Sequence, residues 1–150
     1  MQWAAAFAMM AAMRPVLTHF ALMVRELDAS IEFYRRFCGL ALVHDRGDGK
    51  DRVVWLAEPG REKTLILVLM RGDARAPQRP NDYSHLGFAL ESKNEVDTIA
   101  EQAREGACLA WEPRQEKYPV GYYCGVRDPD GNVVEFSYGQ PLGPGAEDAT

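Results

Sequence analysis

Two histidines and one glutamate are the residues whose types and spacing could do chemistry. His19 opens the apolar run His-Phe-Ala-Leu-Met-Val over residues 19–24, and His85 opens His-Leu-Gly-Phe-Ala-Leu over residues 85–90. Glu135 sits within Val-Val-Glu-Phe-Ser over residues 133–137. A lone carboxylate inside an apolar strand is costly to bury unless it is paired or bound to a metal. Two imidazoles and one carboxylate suit Fe, Mn, Zn or Ni as a divalent ion, and they leave coordination positions open for substrate. Taken singly, each residue has a plainer reading as a partly solvated polar group on a strand. His44, beside Asp45 and without an evident counterpart in the repeat described next, illustrates that case. Joint placement is what points to a site.

That placement comes from an internal repeat. Each histidine-led run reads as a buried strand, and each is followed by a helix with start and stop signals. In the first half Asp28 is the expected cap, Ile31, Tyr34 and Phe37 supply an apolar stripe, and Gly39 ends the helix. In the second half Ser92 and Glu95 form a capping box, and Val96, Ile99, Ala100 and Ala103 form the stripe. Gly106 stands where a left-handed cap is expected. Three strand-like runs then follow each helix: residues 40–44, 53–58 and 64–70, and residues 107–112, 122–127 and 132–138. Asp128-Pro-Asp-Gly131 marks a tight turn between the last two. The order strand, helix, three strands therefore occurs twice, an α+β pattern of two βαβββ modules forming a cupped, mostly antiparallel sheet. The expected domain spans 14–140, with modules 14–70 and 83–140 joined by a linker over 71–82. Alternation puts His19 on one face with Ala21 and Met23, and His85 with Gly87 and Ala89, so small neighbours leave space before each imidazole.

Composition narrows the partners. A net charge of -5 with scattered Lys and Arg argues against nucleic acid, and no run is long enough to span a bilayer. Cys38, Cys108 and Cys124 form an odd set with no CxxC pair, which reads as buried thiols in a reducing cytoplasm. Residues 1–13, rich in Ala and Met, are expected to be a disordered or start-site extension, or a short helix packing on a partner. Residues 141–150 read as a disordered tail.

These segments together resemble the vicinal oxygen chelate superfamily, which includes glyoxalase I, extradiol dioxygenases, fosfomycin-resistance thiol transferases and bleomycin-resistance proteins. The resemblance runs over residues 16–139. It rests on residues 19–34, on Tyr83-Ser-His85-Leu-Gly-Phe, and most specifically on Asp128-Pro-Asp-Gly-Asn-Val-Val-Glu-Phe136. It implies paired βαβββ modules cupped around a metal, and that His19, His85 and Glu135 fall on the family's ligand positions. Glyoxalase I-like members use a fourth ligand, a carboxylate on the last strand of the first module. Here that strand is Leu65-Ile-Leu-Val-Leu69, wholly aliphatic. Classical glyoxalase I chemistry is therefore disfavoured, and the dioxygenase and thiol-transferase branches match the three-ligand set better. A homodimer is implied by the same resemblance.

The segment from Trp111 to Tyr123 is the expected lid, with Arg114, Lys117 or Tyr118 contacting an anionic or oxygen-rich small-molecule substrate and Tyr122 or Tyr123 lining the cup. The chemistry would be Lewis-acid catalysis or activation of dioxygen. The competing reading is a metal-free protein that sequesters an aromatic drug in a dimer cleft, as bleomycin-resistance relatives do.

Overall fold

The computed structural model describes residues 15–73, 76, 78–79 and 81–148; the expectation for residues 1–13 lies outside them. The chain forms β1 (His19–Val24), α1 (Leu27–Cys38), β2 (Ala41–Arg46), β3 (Val53–Ala57) and β4 (Ile66–Arg71). It then repeats the order as β5 (His85–Ala89), α2 (Lys93–Glu105), β6 (Leu109–Gln115), β7 (Tyr122–Arg127) and β8 (Val133–Tyr138). Each module is a four-stranded sheet, ordered β1-β4-β3-β2 and β5-β8-β7-β6. The first strand of each module pairs in parallel with the last, and the other pairings are antiparallel.

Both helices form for local reasons, though not always the expected ones. Ser92 and Glu95 close the capping box at α2. At α1 the cap position is Glu26, without a side-chain bond, and Asp28 lies inside the first turn, where its carboxylate instead accepts from Arg52 Nη1 at 2.8 Å. Gly39 adopts the left-handed conformation that ends α1. Gly106 does not: its φ is -78°, and the positive φ falls on Ala107 instead, at 53°. The buried stripe of α1 is Leu27, Ser30, Phe33, Tyr34 and Phe37, with Ile31 only partly covered.

One hydrophobic core joins the modules, uniting Phe33, Tyr34 and Phe37 of α1 with Leu56 and Leu69 of the first sheet and with Val126, Val134 and Phe136 of the second. The tight turn after β7 fixes that union. Asp128 Oδ2 accepts from the buried Tyr34 hydroxyl at 3.0 Å. Its carboxylate also takes the backbone N–H groups of Asp130 and Asn132 and the Asn132 side-chain amide. Arg25, just after β1, donates from Nε to Asp130 Oδ1 at 2.9 Å and from Nη2 to the Pro129 carbonyl at 3.1 Å. A turn of the second module is thus clamped by the β1–α1 corner of the first.

Residues 141–148, within the segment expected as a tail without structure, fold back against β5 and β8. A Cβ on Gly143 would meet that of Ala89 at 2.8 Å, and one on Gly145 would meet the Tyr138 ring at the same distance. Residues 146–148 form a turn of 3-10 helix.

Candidate metal centre and substrate cup

Alternation along β7 and β8 decides which side chains reach the open face of the second sheet. Val126, Val134 and Phe136 point to the core, so Tyr123, Gly125, Glu135 and Ser137 point the other way. The register sets Glu135 between Gly87 on β5 and Gly125 on β7, two residues without side chains. Glu135 is nonetheless only 7% exposed. Its Oε1 accepts from Gln140 Nε2 at 3.0 Å, and its Oε2 lies 3.5 Å from His85 Nε2.

The orientation of the His85 ring follows from its other nitrogen. Nδ1 lies 2.6 Å from the Tyr83 carbonyl oxygen. A carbonyl can only accept, so Nδ1 is the donor in this contact and Nε2 is the nitrogen turned towards the carboxylate. Nε2 and the carboxylate oxygen face each other across 3.5 Å. That spacing is what two ligands at about 2.1 Å on one metal would show, and the Nδ1 bond to a carbonyl is the usual partner of a metal-binding histidine.

His19 stands on the first sheet, exposed, with its Nδ1 3.0 Å from the Thr18 hydroxyl. Among the described residues no three His, Cys, Asp or Glu side chains converge on one point. The chain therefore brings His85 and Glu135 together without His19.

Comparing the two registers shows what the first sheet holds in the equivalent places. Val68 lies between Ala21 and Trp55 as Glu135 lies between Gly87 and Gly125. The aliphatic character of β4 thus falls on the position equivalent to Glu135. His44 also acquires a structural counterpart. It pairs with Trp55, and its ring lies 5.3 Å from that indole, just as Trp111 pairs with Gly125.

The Trp111 indole packs against the Gly125 backbone, where a Cβ would come within 2.5 Å of it. It meets the His85 ring edge-on at 5.6 Å and the Tyr123 ring edge-on at 6.2 Å, with Tyr83 at 6.1 Å. Arg114 donates from Nε to the Tyr123 hydroxyl, and its guanidinium stands 5.0 Å over the Tyr123 ring.

The expected lid is therefore partly strand, because β6 continues to Gln115 and carries both Trp111 and Arg114. Lys117 and Tyr118 belong to the exposed loop that follows. Tyr122 points to the helix side, where its hydroxyl donates to Asp97 at 2.7 Å and Lys93 sits over its ring. Tyr123 lies on the Glu135 side. Trp111, Tyr83 and Gln140 were not singled out as site residues from the sequence. The signal for Trp111 was the lone Gly125 in an otherwise bulky strand, which marks a close approach.

Two clefts flank His85. One, of about 300 Å³, is lined by Leu22, Gln78, Ser84 and Asn132 among others. The other, of about 290 Å³, is apolar and lined by Phe20, Leu56, Leu67, Gly87 and Phe88 among others. A further cleft, of about 640 Å³, is lined by Arg25, Phe33 and Asp128 among others and by neither His85 nor Glu135.

Two βαβββ modules with a histidine and a glutamate on the open face define a glyoxalase-like protein. The chain belongs to the Glyoxalase/Bleomycin resistance protein/Dioxygenase superfamily, whose model matches residues 16–136. It is 56% identical over 135 residues to the uncharacterized protein PA2024 of Pseudomonas aeruginosa, covering 90% of this chain and 96% of that one. It is 25% identical over 123 residues to a lactoylglutathione lyase of Neisseria meningitidis, covering 80% of this chain and 88% of the lyase. Among solved structures, a possible glyoxalase from Bacillus cereus has TM-score 0.61 and 26% identity over 83% of this chain and 99% of its own. The fosfomycin resistance protein FosX of Listeria monocytogenes, in complex with Mn(II) and sulfate, has TM-score 0.64 and 21% identity, covering 83% and 92%. The likeness to FosX is one of fold. No helix among the described residues is long and apolar enough to cross a membrane.

Proposed function

We propose that the protein is a metal-dependent enzyme acting on a small oxygen-bearing substrate, with His19, His85 and Glu135 holding one divalent ion. The observation that carries this reading is the His85 Nε2 to Glu135 Oε2 approach of 3.5 Å, made with Nδ1 already committed to the Tyr83 carbonyl. Because His19 does not join this pair within the chain, the third ligand comes from a second copy. The working unit is then a homodimer in which the exposed His19 face of one protomer covers the His85 face of the other.

A bound ion would supply Lewis acidity at substrate oxygens, or a redox centre if it is iron or manganese. The protein's own contributions are more specific. Tyr83 orients the His85 ring, and Gln140 holds one Glu135 oxygen so that the other faces the imidazole. Gly87 and Gly125 keep the approach to that carboxylate unobstructed by side-chain carbons of their own. Arg114, braced by Tyr123, offers a cation for an anionic group of the substrate, with Lys117 and Tyr118 at the rim.

Metal analysis after dialysis against Mn(II), Zn(II), Ni(II) or anaerobic Fe(II) tests the reading. Near-stoichiometric metal that is lost in Glu135→Ala supports it. The aromatic cluster beside His85 is the one feature that favours metal-free drug sequestration instead, and a wild-type protein without metal affinity would move the assignment there.

A further inference from the structure

We infer that the substrate is a planar aromatic anion, stacked on Trp111 with its charge held by Arg114. This rests on the proposed metal reading for the placement of its oxygens, but the cup itself is defined by other residues. Trp111 presents an indole directly beside the row Gly87–Glu135–Gly125. Its near-perpendicular contacts to His85 and Tyr123 fix the plane of the ring, and the half-buried side chain keeps part of its surface open to a ligand, which would stack on it offset. Gly125 is the residue that permits this, since any Cβ there would collide with Trp111 Cε3, Cδ2 and Cγ. The indole therefore packs directly against the Gly125 backbone.

The cation is equally placed. Arg114 pairs with Tyr123, one row along the strands from the Trp111–Gly125 pair, which is about 7 Å at the usual strand rise. Its Nε is spent on the Tyr123 hydroxyl and its Cζ lies 5.0 Å from the centre of that ring, so the two Nη groups carry the hydrogen-bonding capacity left for a ligand. The nearest carboxylate, Glu116, is 3.9 Å from Nε and makes no hydrogen bond to it. A benzene ring with an acid group spans about the distance between the two rows. A ring resting on Trp111 would then present adjacent oxygens to an ion held by His85 and Glu135, and its acid group to Arg114.

Calorimetry with defined probes separates the parts. Protocatechuate carries a ring, paired hydroxyls and an acid; catechol lacks the acid; glycerate has paired hydroxyls and an acid but no ring; benzoate has the ring and the acid but no hydroxyls. With anaerobic Mn(II)-loaded protein, protocatechuate is expected to bind at least tenfold tighter than catechol and than glycerate. Trp111→Leu, which keeps apolar volume without the indole face, should cost protocatechuate roughly tenfold and leave glycerate unchanged. Arg114→Gln should cost protocatechuate roughly tenfold or more and leave catechol unchanged. Benzoate titrated into metal-free protein tests the cup alone, with binding lost in either variant. Benzoate binding in a protein that holds no metal would support the cup and remove the metal reading. Metal bound as proposed, with glycerate equal to protocatechuate and indifferent to Trp111→Leu, would overturn the aromatic assignment and leave the metal reading standing.

Discussion

Removing one oxygen atom tests whether the turn at Asp128 locks the two modules together. In Tyr34→Phe the ring stays fully buried and keeps its edge-on contact with Phe33 at 5.2 Å. Only the hydroxyl's bond to Asp128 Oδ2 at 3.0 Å is lost. A hydrogen bond to a charged group contributes about 1.5–3 kcal/mol. Asp128 retains three other donors, from Asp130 and Asn132, so no bare carboxylate is left buried and the lower part of that range applies. The expected loss is about 1.5–2 kcal/mol, or roughly 3–8 °C in Tm for a chain of this size. Urea unfolding of Tyr34→Phe, Asp128→Ala and the double variant gives the coupling directly. A coupling above about 1 kcal/mol is expected. A single-variant loss below about 0.5 kcal/mol, within the range of an ordinary surface change, would refute the idea that this bond joins the modules.

Gly125→Ala would push the Trp111 indole off the sheet, because the new Cβ lies 2.5 Å from Cε3. Overpacking of this kind costs about 1–3 kcal/mol, and a near-ultraviolet circular dichroism spectrum identical to wild type would contradict it. Burial, helped by Asp97, pushes the Cys124 thiol up to about 12 from its ordinary 9.0. The unfolded chain then loses this proton near the ordinary value while the folded chain keeps it, so stability should fall as pH rises above about 9. Urea midpoints measured at about pH 8 and pH 10 in reductant should show that fall, reduced in Cys124→Ala; equal slopes in the two proteins would count against it.

The sequence made the architecture legible because its signals were local. Histidine-led apolar runs, the Ser92–Glu95 box and the Asp128–Gly131 turn each act within a few residues of themselves. Boundaries were less visible where a tertiary contact decided them. Asp28 was expected to cap α1, but the helix starts earlier, with Glu26 at the cap position, and the Asp28 carboxylate accepts from Arg52; β6 extends through residues expected as a lid because β7 pairs with them to Gln115. The pairing of His85 with Glu135 follows from adjacent strands of one module. Its aromatic neighbour, Trp111, was hidden because strand register, not spacing, puts an indole against Gly125. His44 was set aside for want of a counterpart, and only the bulged pairing with Trp55 reveals its equivalence to Trp111. The clamp of Arg25 and Tyr34 on the 128–132 turn crosses some hundred residues of chain and leaves no periodic trace.

The central claim is a metal held by His19, His85 and Glu135 across two copies, and complementation tests it most directly. His19→Ala and Glu135→Ala proteins, each metal-free when prepared alone, are mixed, unfolded, refolded together and dialysed against Mn(II). A mixed dimer retains one site with all three ligands, so metal should return to about one ion per four chains, against about one per chain for wild type. Metal retained by either single variant alone, or none regained in verified mixed dimers, would contradict the claim.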